Sequence, residues 1–208
     1  GLEVKKLTAD FTYTKKNILL EQLAMNTPNS EMKGRVELKY DRKDFSDFNN
    51  KVVFDVEFDK ASIASNDLNF FYNEFGKNNI FYVDTHLVGT LNNFTTHNLK
   101  LTDKNQSEII GTVNFQNLFG KGNQEFYMKG SFDRITSDYE ALKIIMPRVL
   151  GKNLPSVLAK LGRVDLNGDV ELTQKYINAN VYLLSKLGIV DGDLAIQNID
   201  NIDNASYQ

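Results

Sequence analysis

Six times along the chain a glycine stands with an apolar residue two places before it and two places after. The segments are Met32-Lys33-Gly34-Arg35-Val36, Leu87-Val88-Gly89-Thr90-Leu91, Ile109-Ile110-Gly111-Thr112-Val113, Met128-Lys129-Gly130-Ser131-Phe132, Leu166-Asn167-Gly168-Asp169-Val170 and Val190-Asp191-Gly192-Asp193-Leu194. Residues at i, i+2 and i+4 share one face of a strand, so each glycine falls on the apolar face of its own strand. A glycine there forfeits packing and backbone entropy. Its return at matched phase predicts bends in the sheet, or another backbone or a ligand lying close to it. Successive glycines are 55, 22, 19, 38 and 24 residues apart, close to multiples of a roughly twenty-residue unit, the length of a strand pair with its turns.

The intervening sequence alternates as half-buried strands do. Leu7, Ala9, Phe11 and Tyr13 alternate with Thr8, Asp10 and Thr12. Val36, Leu38 and Tyr40 oppose Arg35, Glu37, Lys39 and Asp41, while Val52, Phe54, Val56 and Phe58 oppose Asp55, Glu57 and Asp59. One apolar face and one charged face mark an antiparallel sheet wetted on one side. Turns are expected near Lys15 to Asn17, at Asn26-Thr27-Pro28-Asn29, at Gly76-Lys77-Asn78-Asn79 and at Gly120-Lys121-Gly122-Asn123. Strands are expected over 80–91, 98–101, 108–117, 125–132, 163–172, 176–184 and 189–196. Residues Ala61 to Phe75 fit neither period and read as a strand or a short helix.

The period changes once. Ser137-Asp138-Tyr139-Glu140 has the form of a capping box opening a helix through Leu142, Ile145, Met146 and Val149, with Gly151 as its C-cap. Pro147 is expected to kink or end it, and a second short helix starts at Asn153-Leu154-Pro155-Ser156. The chain thus divides into strands over 1–135, a helical insert at about 137–161 and returning strands over 163–199. The insert covers the apolar face, caps one end of the sheet, or acts as a lid over a groove. Lys143, Arg148, Lys152 and Lys160 are too scattered for a basic, membrane-docking face.

Composition removes several classes of function. With 208 residues and a net charge of −3, the chain has the size to bury a core but no basic field for phosphate, so no nucleic-acid partner is expected. The absence of cysteine excludes disulfides, thiol catalysis and cysteine-ligated metal. No apolar run reaches the ~18 residues of a membrane span. A start at Gly1 and a polar end at Gln208 read as a segment of a longer protein, with any anchor outside it. The many Asn, Lys and Asp residues resemble the coding bias of an AT-rich bacterial genome.

Catalytic and metal-binding patterns are weak. His86 and His97 have no i, i+2 or i, i+4 histidine partner and no HExxH helix, so both read as surface residues with no metal. No nucleophile elbow, Walker loop or dinucleotide fingerprint occurs. Asp165, Asn167, Asp169 and Glu171 alternate along one strand, with Asp191, Asp193 and Asp200 later. Their spacing is not that of an EF-hand, and they read as a solvated face. Asn93-Phe94-Thr95 and Asn105-Gln106-Ser107 match glycosylation acceptors, as expected by chance in so Asn-rich a chain. A carbohydrate-processing enzyme would need clustered inward carboxylates, with Asp55, Asp165 or Asp191 the residues to test. No enzyme and no cofactor is expected.

With these residues in view, the chain resembles the AsmA-like superfamily, most closely the TamB proteins of Bacteroidota. The resemblance rests on the glycine-centred strands, on the insert from Tyr139-Glu140-Ala141-Leu142-Lys143 through Leu154-Pro155, on Leu161-Gly162-Arg163-Val164-Asp165-Leu166-Asn167-Gly168, and on Leu187-Gly188 and Asn198-Ile199-Asp200-Asn201-Ile202-Asp203-Asn204-Ala205. It implies a mostly β fold in which a curved antiparallel sheet forms a taco-like hydrophobic groove. It implies a non-enzymatic, periplasmic segment of an envelope-spanning bridge for phospholipid transport and outer-membrane protein assembly. The inner-membrane anchor would lie outside this chain, and the partners would be phospholipid acyl chains and an Omp85-type outer-membrane barrel. The residues carried over as groove lining are Val36, Leu38, Tyr40, Val52, Phe54, Val56, Phe58, Leu87, Leu91, Val113, Phe115, Met128, Phe132, Leu166, Val170, Leu172, Val181, Leu183, Leu194 and Ile196. The alternative is a structural or adhesive β-sandwich whose apolar face is an ordinary packed core, since both demand the same alternation.

Overall fold

Among the described residues, strands that follow one another in sequence are hydrogen-bonded neighbours in the sheet. The computed structural model describes residues 2–71, 75–118, 125–145, 147, 154, 156–198 and 206–207. Twelve antiparallel strands run in strict chain order: β1 (Lys6–Tyr13), β2 (Asn17–Asn26), β3 (Glu31–Lys39), β4 (Val53–Ala64), β5 (Ile80–Thr90), β6 (Asn93–Asp103), β7 (Glu108–Gln116), β8 (Tyr127–Asp138), β9 (Arg163–Thr173), β10 (Tyr176–Ser185), β11 (Gly188–Gln197) and the two-residue β12 (Ser206–Tyr207). The fold is mostly β, as expected, in one curved sheet whose two edges do not pair. Among the described residues all twelve strands belong to this one sheet and there is no second one.

Four of the even-numbered strands, β2, β4, β6 and β8, each carry a bulge. The register slips by one residue between Leu20 and Leu23 in β2, Phe58 and Ala61 in β4, Thr96 and Leu99 in β6, and Phe132 and Ile135 in β8. Three of these bulges hold a residue in the left-handed region: Gln22 at φ 49°, Lys60 at φ 49° and Asn98 at φ 51°. An extra residue in one strand bends it and tightens the local twist. These residues are 38 positions apart, 22 to 60 and 60 to 98, so the structural period is a strand pair with its insertions rather than a twenty-residue unit.

Three helical segments interrupt the hairpins. A 3-10 turn (Arg42–Asp47) runs into α1 (Phe48–Lys51), which no periodicity marked in advance, and Tyr40, Phe45, Phe48 and Phe54 stack along it with centroids 4.6, 6.3 and 5.7 Å apart. The ambiguous stretch from Ala61 is both of its alternatives in turn: β4 runs to Ala64 and α2 (Ser65–Phe71) follows. Asp67 of α2 clamps the β2–β3 turn, accepting hydrogen bonds from Thr27 Oγ1 and Ser30 Oγ, each at 2.5 Å, and from Asn29 Nδ2 at 3.5 Å. Desolvation pushes its pKa up, but these three donors outweigh it and hold the carboxyl below its ordinary value.

A depressed carboxylate contributes stability that is complete above its unfolded value of about 3.9 and is lost as pH falls through the lower, folded value. Asp67→Ala is therefore expected to cost about 1–3 kcal/mol at neutral pH, because it strands two buried hydroxyls. Urea titrations at pH 7 and pH 3 check this: the gap between wild type and variant narrows in acid.

The insert starts later than its sequence pattern implies. Ser137 is still in β8, fully buried, with its Oγ 2.9 Å from Ser107 Oγ. The N-cap of α3 (Tyr139–Ile145) is Asp138, whose Oδ1 accepts from Ala141 N at 2.9 Å. The helical signal of Ser137 fails because that hydroxyl is already engaged across the sheet. The far end of α3 docks on the loop before β5, where Gly76 N reaches Ile145 O at 3.4 Å. A second 3-10 turn (Ser156–Leu161) closes the insert and Gly162 follows it at φ 70°. Met146, Val149, Gly151, Asn153 and Pro155 lie outside the described residues, as do Tyr72, the 120–123 turn and Asp200.

One contact measures the curvature. Leu154 packs against the buried cluster of Phe94, Leu118, Phe126, Leu172, Ile177 and Ile196 at one end of the strands, and its carbonyl accepts from Tyr139 Oη at 3.4 Å. Tyr139 follows the opposite end of β8, eleven residues after Met128. A straight strand would separate those ends by ~36 Å. A tyrosine, a hydrogen bond and a leucine do not span that distance, so the strands are bent between their ends.

Candidate functional site

Side chains directly opposite one another in an antiparallel pair point to the same face, so the register converts the alternating sequence into transverse rows. The first row crosses eleven strands: Tyr13, Ile18, Leu38, Phe54, Gly89, Phe94, Phe115, Met128, Leu172, Ile177 and Ile196. The second is Phe11, Leu20, Val36, Val56, Leu87, Thr96, Val113, Gly130, Val170, Ala179 and Leu194. A third joins Leu23, Gly34, Phe58 and Thr85, and beyond the β6 bulge Leu99, Gly111, Phe132, Gly168, Val181 and Gly192. The fourth runs Ala61, Val83, Leu101, Ile109, Ile135, Leu166, Leu183 and Val190. One face is apolar from edge to edge.

The third row is where the sheet bends. It alternates a large side chain with glycine or Thr85, and it runs along the line of bulges. Gly34 has φ 152°, and a Cβ there would lie 1.8 Å from the carbonyl oxygen of Glu57; Gly168 has φ 125°, with Asn180 O at 2.2 Å from its missing Cβ. Glycine alone combines this backbone with so close a neighbouring strand. Gly111 and Gly192 lie in the same row, but Gly89 and Gly130 belong to the first and second. The six glycines are therefore in phase with their own strands and not all with one another. Bulges and glycine kinks aligned in register are the devices that curve a sheet.

Of the residues expected to line a groove, Leu38, Phe54, Phe115, Met128, Leu172 and Ile196 fall in the first row. Val36, Val56, Leu87, Val113, Val170 and Leu194 fall in the second, Phe58, Phe132 and Val181 in the third, and Leu166 and Leu183 in the fourth. Tyr40 and Val52 are buried just beyond the first row, with Tyr40 Oη donating to Thr14 O at 3.2 Å, while Leu91 is half-buried in the β5–β6 turn. The register adds Leu20, Phe94, Leu99, Leu101, Ile109, Ile135 and Ile177 to the same face.

Burial along the rows is graded. In the second row Phe11 at the β1 edge is 64% exposed, Val56 is 7% and Val113 is 2%; in the fourth, Val190 near the other edge is 50% exposed. Leu20, Val36, Leu87, Val170 and Leu194 are half-buried. The apolar face is open at the β1 edge and at Val190, whereas the first row stays buried out to Ile196 in β11.

The opposite face is polar and networked. Glu37 accepts from Asn17 Nδ2 at 3.1 Å and pairs with Arg35 at 2.5 Å; Asp55 takes Lys39 Nζ at 2.7 Å on one oxygen and His86 Nε2 at 2.8 Å on the other. Lys39 first, then His86, hold the Asp55 carboxyl below its ordinary value, and Asn17 leads the same effect at Glu37. Asp165, Asn167 and Asp169 are exposed on this face of β9 and Asp191 and Asp193 on β11, where they solubilise rather than converge. Among the described residues no group of three or more His, Asp or Glu is placed to hold a metal ion, and no helix is long and apolar enough to cross a membrane. Comparison with known protein families, with curated proteins and with solved structures finds no match.

Proposed function

We propose that this chain is a non-enzymatic lipid-binding segment whose sheet folds along the bulge-and-glycine line into a trough for phospholipid acyl chains. The observation that carries this reading is the continuity of the four apolar rows, open at the β1 margin and without a second sheet on them among the described residues. An apolar face larger than a few hundred Å² needs an occupant. Acyl chains suit it, since each buried methylene contributes about 0.8 kcal/mol and non-directional contacts let a chain slide along a row. The resemblance noted in the sequence adds the setting: a periplasmic bridge held to the inner membrane by sequence outside this chain, serving phospholipid transport and outer-membrane protein assembly with an Omp85-type barrel.

Native mass spectrometry of the detergent-free protein, followed by organic extraction, tests the reading. Bound phospholipid is expected, and its amount falls at least about fivefold in Val36→Glu, which places a charge among half-buried row residues at a modest cost in stability. Glu37→Gln, one residue away on the wet face, retains wild-type lipid. Lipid-free protein that also takes up no spin-labelled phospholipid would overturn the proposal.

A further inference from the structure

The two histidines are separated by eleven residues but lie directly opposite each other in the β5–β6 hairpin, because the chain reverses midway between them. Their rings stand side by side on the polar face, with centroids 6.0 Å apart and planes inclined by 42°. A metal bound to one nitrogen of each ring sits about 2.0–2.1 Å from both, so two imidazoles sharing an ion have centroids about 5.2 Å apart at a tetrahedral angle and about 6.4 Å apart when collinear with it. The observed 6.0 Å falls between these limits, and closing to the tetrahedral value takes a shift of under about 1 Å, which rotation of two side chains supplies. The second ring position of His86 is also arranged: Nε2 lies 2.8 Å from Asp55 Oδ1. With Nε2–H donating to Asp55, the lone pair of His86 is on Nδ1.

We propose that His86 and His97 form a two-imidazole site for a borderline divalent transition-metal ion such as Zn²⁺, Ni²⁺ or Cu²⁺, with Asp55 as the residue that positions His86. Carboxylate–histidine–metal is the usual order of such contacts, in which the outer carboxylate fixes the tautomer and raises the basicity of the ring. Asp55 is itself fixed by Lys39 Nζ at 2.7 Å on Oδ2, while its Oδ1 faces His86 Nε2 at 2.8 Å with Arg35 Nη1 farther off at 3.6 Å. Glu57 is exposed and paired with His86 across β4 and β5 but is not placed as a third ligand, so water completes the coordination. Imidazole donors select these ions over Mg²⁺ and Ca²⁺, which prefer all-oxygen sites. The site is on the face away from the apolar rows, so it stands or falls independently of lipid binding.

The experiment uses the chain without a polyhistidine tag, titrated with Zn²⁺ in a calorimeter and with Cu²⁺ under electron paramagnetic resonance. One saturable site is expected, with nitrogen hyperfine structure from two imidazoles in the copper spectrum. His97→Gln is expected to weaken Zn²⁺ at least tenfold and Asp55→Asn about tenfold. Zn²⁺ should raise the melting temperature of the wild type and not that of His97→Gln, since only the folded chain brings the rings together. Absence of saturable binding in the wild type, or unchanged affinity in both His86→Gln and His97→Gln, would overturn the proposal. Unchanged affinity in Asp55→Asn would remove Asp55 from it.

Discussion

Alanine at Gly168 is expected to cost about 3–5 kcal/mol, while alanine at Gly192 costs about 1–3 kcal/mol from the same kind of backbone strain alone. Both positions have φ in the range that L side chains avoid, 125° and 148°. They differ in what surrounds the missing Cβ. At Gly168 it would meet the Asn180 carbonyl oxygen at 2.2 Å and Val181 Cα at 2.9 Å, whereas at Gly192 nothing lies within 4 Å. Backbone atoms of a hydrogen-bonded neighbour cannot step aside without parting β9 from β10, so the excess at Gly168 measures how closely the strands approach along the bend. Urea denaturation reads both values, as a fall in midpoint at unchanged slope. Equal costs would show that φ alone decides, and that the third row is not a line of close approach.

The same comparison separates what the alternation made legible from what it hid. Up to each bulge the parity rule holds: Phe54, Val56 and Phe58 face inward, and so do Met128 and Phe132. Past the bulge the parity switches, and Ala61 and Ile63 in β4, Leu99 and Leu101 in β6, and Ile135 in β8 take over the inner face. A one-residue insertion exchanges the two faces of everything after it, so a fixed period of two loses the signal at that point. That is why Ala61 and Ile63 fall out of phase with Phe54, Val56 and Phe58, the period changing again where α2 starts at Ser65, and why β6 is expected only from Asn98, without Phe94 and Thr96. The inserted residues themselves, Gln22, Lys60 and Asn98, are polar and leave no mark in an apolar pattern. The glycines betrayed a bend, but not which of them share a line, since that depends on register between strands. His86 and His97 were hidden for a related reason: helical and within-strand spacings do not describe partners across a hairpin.

The topology also limits what the fold can be asked to do. Strict chain order, with each strand beside its neighbours in sequence, makes nearly all pairing local to a hairpin, and local pairing carries a low loop-closure cost. Edges remain open at β1, where Leu7 is 54% exposed and Phe11 and Tyr13 more so. Such edges are ordinarily blunted by charge or covered. Here the first two apolar rows run out to that margin and end in Tyr13 and Phe11.

The second large effect is expected at Phe132, whose replacement by alanine should cost about 3–5 kcal/mol. Phe132 is 7% exposed and forms a buried cluster with Leu99 and Val113. Its ring also lies over Gly130, the one glycine of the six whose backbone φ is not positive: a Cβ built on Gly130 would fall 2.4 Å from two ring atoms. Gly130 is thus a space-giving glycine, and its cost on substitution arises from a side chain that can be removed. Gly130→Ala alone should lose about 1–3 kcal/mol through overpacking. In the Phe132→Ala background the same change should cost less than 1 kcal/mol, because the methyl enters the space the ring has left. A double-mutant cycle in urea therefore predicts a coupling of about 1–2 kcal/mol between the two positions. Additive costs would mean that the ring does not occupy the glycine notch, and that the second and third rows pack independently of each other.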